Sequence, residues 1–302
     1  MARKPAIALV AVAGRRKATL EVAAQIEKEG FSGIFCQSVG DGLGLCEALA
    51  FATHEIPLGT SIANMYTRHP YDYAQTAAFI HEVSGGRFRF GVGVSHGPML
   101  DRLKVQANKP LADMRQFVSD LQASVGRKDA LPPIILATLR KAMVKLSAEI
   151  SQGAVWANAA LSHMSTSLSF LPQEKMQADD FFVGNMIPTV ITDDKEAAAK
   201  VHRQTLSTYV RLPNYQKYWI EAGYEEEMQA IQKAMANKED DKIPSLMSDR
   251  WLSQVTLYGS VSEVREGVEA WYDTGLKTPI LVPSSANGNQ MVALQEVIAA
   301  FR

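Results

Sequence analysis

Six histidines, two cysteines and nearly balanced charge (31 Lys and Arg against 32 Asp and Glu) are the chemical resources of this 302-residue chain. His54, His69, His81, His96, His163 and His202 form no His-x-x-x-His pair, and no Cys or carboxylate joins them at ligand spacing, so no metal site is expected. There is no Ser–His–Asp order, Walker loop or paired-carboxylate motif. His96 stands apart, because it lies in the Gly-rich run GVGVSHGP (residues 91–98) just after an apolar strand. An imidazole exchanges protons near neutrality, which makes His96 a candidate proton donor. The bland alternative is a structural histidine, the reading given to His54, His81 and His202. Gly91 and Gly93 point to one face of that strand; they either let a flat ligand approach the backbone or relieve crowding in the core. A second candidate is Thr138-Leu139-Arg140-Lys141, which opens a helix after another strand. Free N–H groups at a helix start with two cations beside them suit phosphate; two solvated basic residues are the alternative.

Such residues need a frame that holds them on one rim. The stretch from Ile56 to Pro98 contains two apolar runs, 56–62 and 88–94, joined by about two dozen residues with a helix between them. A connection of that length implies parallel strands, hence a βαβ unit. Pro70 suits a first helical turn and Gly85-Gly86 a helix stop. Further strands are expected at 6–12, 33–38, 132–137, 154–159, 181–190 and 278–282. Helices are expected at 19–29, 45–54, 111–125, 141–150, 194–210 and 291–301. Eight strands alternating with helices make a (β/α)8 TIM barrel, in one α/β domain spanning 1–302. A doubly wound open sheet is the runner-up, but the loop after strand one reads AGRRKAT and not G-x-G-x-x-G. Residues 209–257 are too long for a plain connection and read as a helical excursion after strand seven. On it, Tyr215, Tyr218 and Trp219 are either walls of a substrate site or the excursion's own core.

Composition narrows the class. With 47% hydrophobic and 21% charged residues and a net charge of −1, the chain has no electrostatic footprint for nucleic acid or an anionic membrane. No run approaches the ~20 apolar residues of a membrane span. Arg3 and Lys4 before an apolar run outline a secretory signal, but the run is short and Arg15, Arg16 and Lys17 follow it, so a first strand is preferred. Cys36 and Cys46 are expected as buried free thiols, which fits a cytoplasmic setting.

The block NMYTRHP (64–70), its Ala-rich helix and SGGRFRFGVGVSHGP (84–98) resemble the luciferase-like flavin and deazaflavin oxidoreductases, most of all the branch using coenzyme F420 that includes methylenetetrahydromethanopterin reductase. PPIILATLRKAMVKLSAEISQGAVWANA is similar to that family's strand–helix–strand five to six. The resemblance implies a non-prolyl cis peptide at Ser61–Ile62, in a bulge after strand three that backs the cofactor ring. It implies that Ala63 and Asn64 line the same wall, that Gly93, Val94, Ser95 and His96 border the ring or phosphate, and that Thr138, Leu139, Arg140 and Lys141 form the phosphate turn. Relatives often carry Asp-His where this chain has Ser38-Val39, Gly-Pro at Leu139-Arg140, threonine at Ala63, and a longer segment at 126–131. The expected function is hydride transfer between reduced F420 and a small organic substrate, in a homodimer. The alternatives are an FMN-dependent monooxygenase fed by a separate flavin reductase, and a non-catalytic flavin-binding relative.

Overall fold

A computed structural model describes residues 3–127 and 129–302; within the 126–131 segment, Lys128 lies outside the described residues. The described residues form ten strands: β1 (Ala6–Leu9), β2 (Ile34–Cys36), β3 (Leu58–Thr60), β4 (Ala63–Asn64), β5 (Phe88–Gly93), β6 (Ile134–Ala137), β7 (Gly153–Ala157), β8 (Phe182–Ile191), β9 (Leu257–Gly259) and β10 (Thr278–Ser284). The order β10-β1-β2-β3-β5-β6-β7-β8, with β8 also pairing β10, closes eight parallel staves into a TIM barrel. The eight expected strands are these staves. Strand β9 was not expected: three residues cannot show a period, and it extends only the end of β8, pairing Thr189 with Leu257 through Ile191 with Gly259. The excursion is helical, with α-helices Pro213–Glu221, Glu225–Ala236, Ile243–Leu246 and Asp249–Val255.

The described residues divide into two compact units: 3–156 with Phe170–Gly184, and Ala157–Ser169 with Asn185–Arg302. In the first unit the βαβ segment follows its local chemistry. The helix Pro70–Val83 starts with His69 Nδ1 accepting the Tyr71 N–H at 3.2 Å and ends at Gly85 and Gly86, both at positive φ. The preceding helix runs Gly42–Ala52, three residues ahead of expectation, because the Asp41 carboxylate caps it by accepting the Gly44 N–H at 2.9 Å. Cys36 and Cys46 are buried free thiols.

In the second unit His202 is fully buried on the helix Lys195–Leu206, with Nε2 3.2 Å from Leu257 O. Burial pushes its pKa down to about 4, against the pull of that carbonyl. The folded value lies below the unfolded one of ~6.5, so the unfolded chain takes a proton that the folded chain refuses. This contribution to stability is intact above pH ~6.5 and drains away as pH falls toward 4, by up to about 3 kcal/mol. Urea titrations of wild type and His202→Met over that range should show the slope in the former and its loss in the latter; parallel profiles would contradict it.

Candidate functional site

In the first unit, β3 and β4 are two parts of one stave interrupted by a bulge. Leu58 and Gly59 pair with Phe88 and Arg89, whereas Ala63 and Asn64 pair with Val92 and Gly93. Four steps from Gly59 to Ala63 therefore face three from Arg89 to Val92, which is one extra residue. The extra residue lies at Ser61-Ile62, whose peptide bond is cis. Two glycines on β5 accommodate the bulge in different ways. A Cβ on Gly91 would overlap the Thr60 carbonyl oxygen, whereas one on Gly93 would meet Ile62 Cδ1 at 3.1 Å and Ala137 Cβ at 2.8 Å. Gly91 thus lets backbones approach, and Gly93 gives the Ile62 side chain its seat.

A cavity of about 290 Å³ opens at the C-terminal ends of β2 and β3, where barrel enzymes carry their sites. Ile62, Ala63 and Asn64 line it, facing Ser38, Asp41 and Leu43 from the β2 exit. Asn64 is held on three sides. Its Oδ1 accepts the Tyr66 N–H (3.0 Å), and the hydroxyls of Thr67 and Tyr73 converge on its carbonyl oxygen at 2.8 and 2.7 Å. Burial raises the Tyr73 pKa, with the Thr67 hydroxyl and Arg68 opposing it, so the phenol stays protonated. Arg68 lies over the Tyr73 ring (5.9 Å) between Asp41 (3.5 Å) and Asp72 (3.6 Å). Ser61 Oγ, next to the cavity wall, is buried without a hydrogen-bond partner.

The other expected residues stand elsewhere on the rim. Val94 and Ser95 are half-buried past the end of β5, with Ser95 at φ +63°, and His96 is exposed as the N-cap residue of the helix Gly97–Leu103, its ring making no capping bond. None of the three borders the cavity. Thr138 and Leu139 are buried, and the Thr138 N–H donates to Val155 O at 2.8 Å. Arg140 is the N-cap residue of the helix Lys141–Ile150, which has no side-chain cap, and Lys141 Nζ lies 5.3 Å over the Phe170 ring. Sequence reading missed Asp41, Thr67, Arg68 and Tyr73. Asp41 had a signal, as an aspartate three residues before a helical glycine, and it places a carboxylate in the corner where Ser38-Val39 had suggested none. Arg68 and Tyr73 gave none, since only the fold turns them toward the β2 exit. Among the described residues no three His, Cys, Asp or Glu side chains gather to hold a metal, and no helix is long and apolar enough to cross a membrane.

Comparison with known proteins agrees with this fold. A coenzyme F420-dependent oxidoreductase assignment belongs to a Mycobacterium tuberculosis protein 23% identical to this chain, over 88% of this chain and 90% of that one. The structure of coenzyme F420-dependent tetrahydromethanopterin reductase from Methanopyrus kandleri superposes with a TM-score of 0.78 at 17% identity, covering 98% of both chains. The FMN-bound oxygenating constituent of 3,6-diketocamphane monooxygenase from Pseudomonas putida gives 0.65 at 16%, over 98% and 97%. The profile of the luciferase-like monooxygenases matches residues 6–278, and the chain belongs to that family of oxidoreductases.

Proposed function

We propose that this protein binds a reduced deazaflavin of the F420 type and transfers a hydride between it and a small organic substrate. The observation that carries the reading is the cavity behind the Ser61-Ile62 bulge. Ile62, Ala63 and Leu43 give an apolar surface for a flat heterocycle. Asn64, whose Oδ1 is held by the Tyr66 N–H, turns its amide to the polar edge of such a ring. A volume of about 290 Å³ suits a ring system and not a whole nucleotide-like cofactor, and in this reading the tail runs outside it. The uncapped start of the helix Lys141–Ile150 offers backbone N–H groups for the tail phosphate, with Thr138, Leu139 and Arg140 forming the turn. When bound, the deazaflavin supplies the hydride; the chain orients it and excludes water. His96, free of any capping bond, is the residue proposed to exchange the substrate's proton.

The test is titration of the purified protein with reduced F420 and with FMN, read by absorbance and by protection against thermal unfolding. Saturable protection by F420 and none by FMN is expected, and His96→Ala should lower turnover while leaving F420 affinity intact. Protection by FMN alone would turn the reading to the oxygen-using monooxygenase with a partner reductase, a rival supported by the FMN-bound structural relative. Protection by neither would overturn both.

The same reading includes a homodimer. Phe51, Tyr71 and Phe79 are 63%, 58% and 46% exposed on the helices Gly42–Ala52 and Pro70–Val83, which pack on each other. Large apolar side chains at such exposure suit an interface. Sedimentation should give a dimer for wild type and a monomer for Phe51→Glu/Phe79→Glu; a monomeric wild type would refute the assignment.

A further inference from the structure

The segment that leaves β5 is tied down at its two ends, and both ties lead to the same wall of the cavity. At its start Gly93 still belongs to the barrel: it pairs with Asn64, and its carbonyl accepts the Met65 N–H at 3.1 Å. At its far end the Asp113 carboxylate accepts both the Asn108 N–H (2.9 Å) and the Tyr66 hydroxyl (2.7 Å). Asn64 lines the cavity, and its Oδ1 accepts the N–H of Tyr66.

Between these ties the segment stands alone. From Ser95 to Ala107 no hydrogen bond or ion pair reaches a described residue outside it; the bonds of Met99, Leu100, Lys104 and Val105 all end on His96, Leu100 or Asp101. The helix Gly97–Leu103 buries no residue, whereas the next helix, Pro110–Ala123, buries Met114, Phe117, Val118 and Leu121. Met99 and Leu100 are half-buried and Leu103 is 36% exposed, so three apolar side chains have no core to join. A stretch with so few packed contacts belongs to the low end of local stability, and it can swing as a body without breaking a hydrogen bond. Its charge is opposite to that of the cavity mouth. Residues 95–109 contain Arg102, Lys104 and Lys109 against Asp101, while the mouth exposes the Asp41 and Asp72 carboxylates around one cation, Arg68.

We propose that Ser95–Ala107 is a strap that closes over the cavity mouth when the ring is bound, seating Met99, Leu100 and Leu103 there and carrying His96 in from solvent. The inference rests on the reading of the cavity as a ring site. It accounts for the place of His96, which proton exchange needs inside the site and the free protein holds outside. Closure also excludes water from the transfer.

The test is limited digestion with trypsin, which has sites in the strap after Arg102 and Lys104, run beside thermal unfolding with no cofactor, with F420 and with FMN. The free protein should be cut in the strap, and the cofactor that raises the unfolding temperature should slow that cut at least about tenfold. Diethyl pyrocarbonate should modify His96 in the free protein and spare it in the complex, read by peptide mass. Met99→Ser/Leu100→Ser changes only side chains outside the core; it should still bind the cofactor and stay open to trypsin. Thermal protection with an unchanged cut and a modified His96 would overturn the strap and leave the ring site standing. Equal slowing in wild type and the serine variant would overturn it too, since the ligand itself would then shield the sites. No thermal protection by either cofactor would remove the ring site and the strap together.

Discussion

Gly91→Ala is expected to cost about 4 kcal/mol or more, and Gly93→Ala to leave a folded barrel that binds its cofactor at least about tenfold more weakly. The two glycines are two residues apart on β5, but they face different neighbours. At Gly91 the added methyl would occupy the space of the Thr60 carbonyl oxygen, a backbone atom that moves only if β3 moves. The Thr60 Oγ1 hydrogen bond to Gly91 O, 2.6 Å long, ties the same two strands and would be lost with any separation. At Gly93 the contacts are side-chain atoms: Ala137 Cβ at 2.8 Å, which gives only by a small shift of β6, and the end of the Ile62 side chain at 3.1 Å, which can turn away. Ile62 lines the cavity, so turning it moves a cavity wall. The urea midpoint and the F420 titration separate the outcomes. Equal stability losses at the two positions would refute the division of roles, and an unchanged affinity in Gly93→Ala would remove Ile62 from the cofactor site.

Arg87→Met should destabilise the first unit by about 3–5 kcal/mol, the scale of a partly buried charge network broken at its centre. Arg87 gathers three chain ends. Its Nε donates to Ser84 O (2.8 Å) after the helix Pro70–Val83. Its Nη1 donates to Thr53 Oγ1 and Ile56 O (both 2.9 Å), and its Nη2 to Ala50 O (3.0 Å) and Thr53 O (2.9 Å) at the end of the helix Gly42–Ala52. A cation at two helix C-termini also meets the negative ends of their dipoles. Burial lowers the Arg87 pKa, and nearby Glu27 opposes that shift. The Glu27 carboxylate meanwhile accepts the N–H groups of His54, Glu55 and Ile56 at 2.7–2.9 Å. Arg87→Lys should lose most of the same energy, because an ammonium has three donors and no planar fork. Both variants should titrate F420 with wild-type affinity wherever they remain folded. A loss under about 1 kcal/mol for Arg87→Met would show that the carbonyls find water as readily.

These cases show where reading from the chain alone succeeds. The staves of β5 and β6 and the helix Pro70–Val83 were legible because apolar runs, Pro70 and Gly85-Gly86 act locally. The bulge at Ser61-Ile62 was reached through resemblance, and the register between β3, β4 and β5 bears it out. The run 84–98 read as one motif, yet it divides in space. Arg87 binds helix ends, Gly91 spaces two strands, Gly93 seats Ile62, and His96 stands in solvent. Nothing in the order of residues marks that division, because the partners that define it for Arg87, Gly91 and Gly93 (Thr53 and Ile56, Thr60, and Ile62) lie about thirty residues earlier in the chain.

Periodicity and turn chemistry therefore determined the barrel and the helical excursion, since each arises between residues within a few turns of one another. Which side chains share a cavity was decided only when the strands closed. Asp41 and Arg68 meet there by ion pairing across the rim, and Asn158 meets Tyr209 and Tyr215 after an excursion of some fifty residues. Such pairs are made by the path of the whole backbone, and a one-dimensional pattern contains no record of that path.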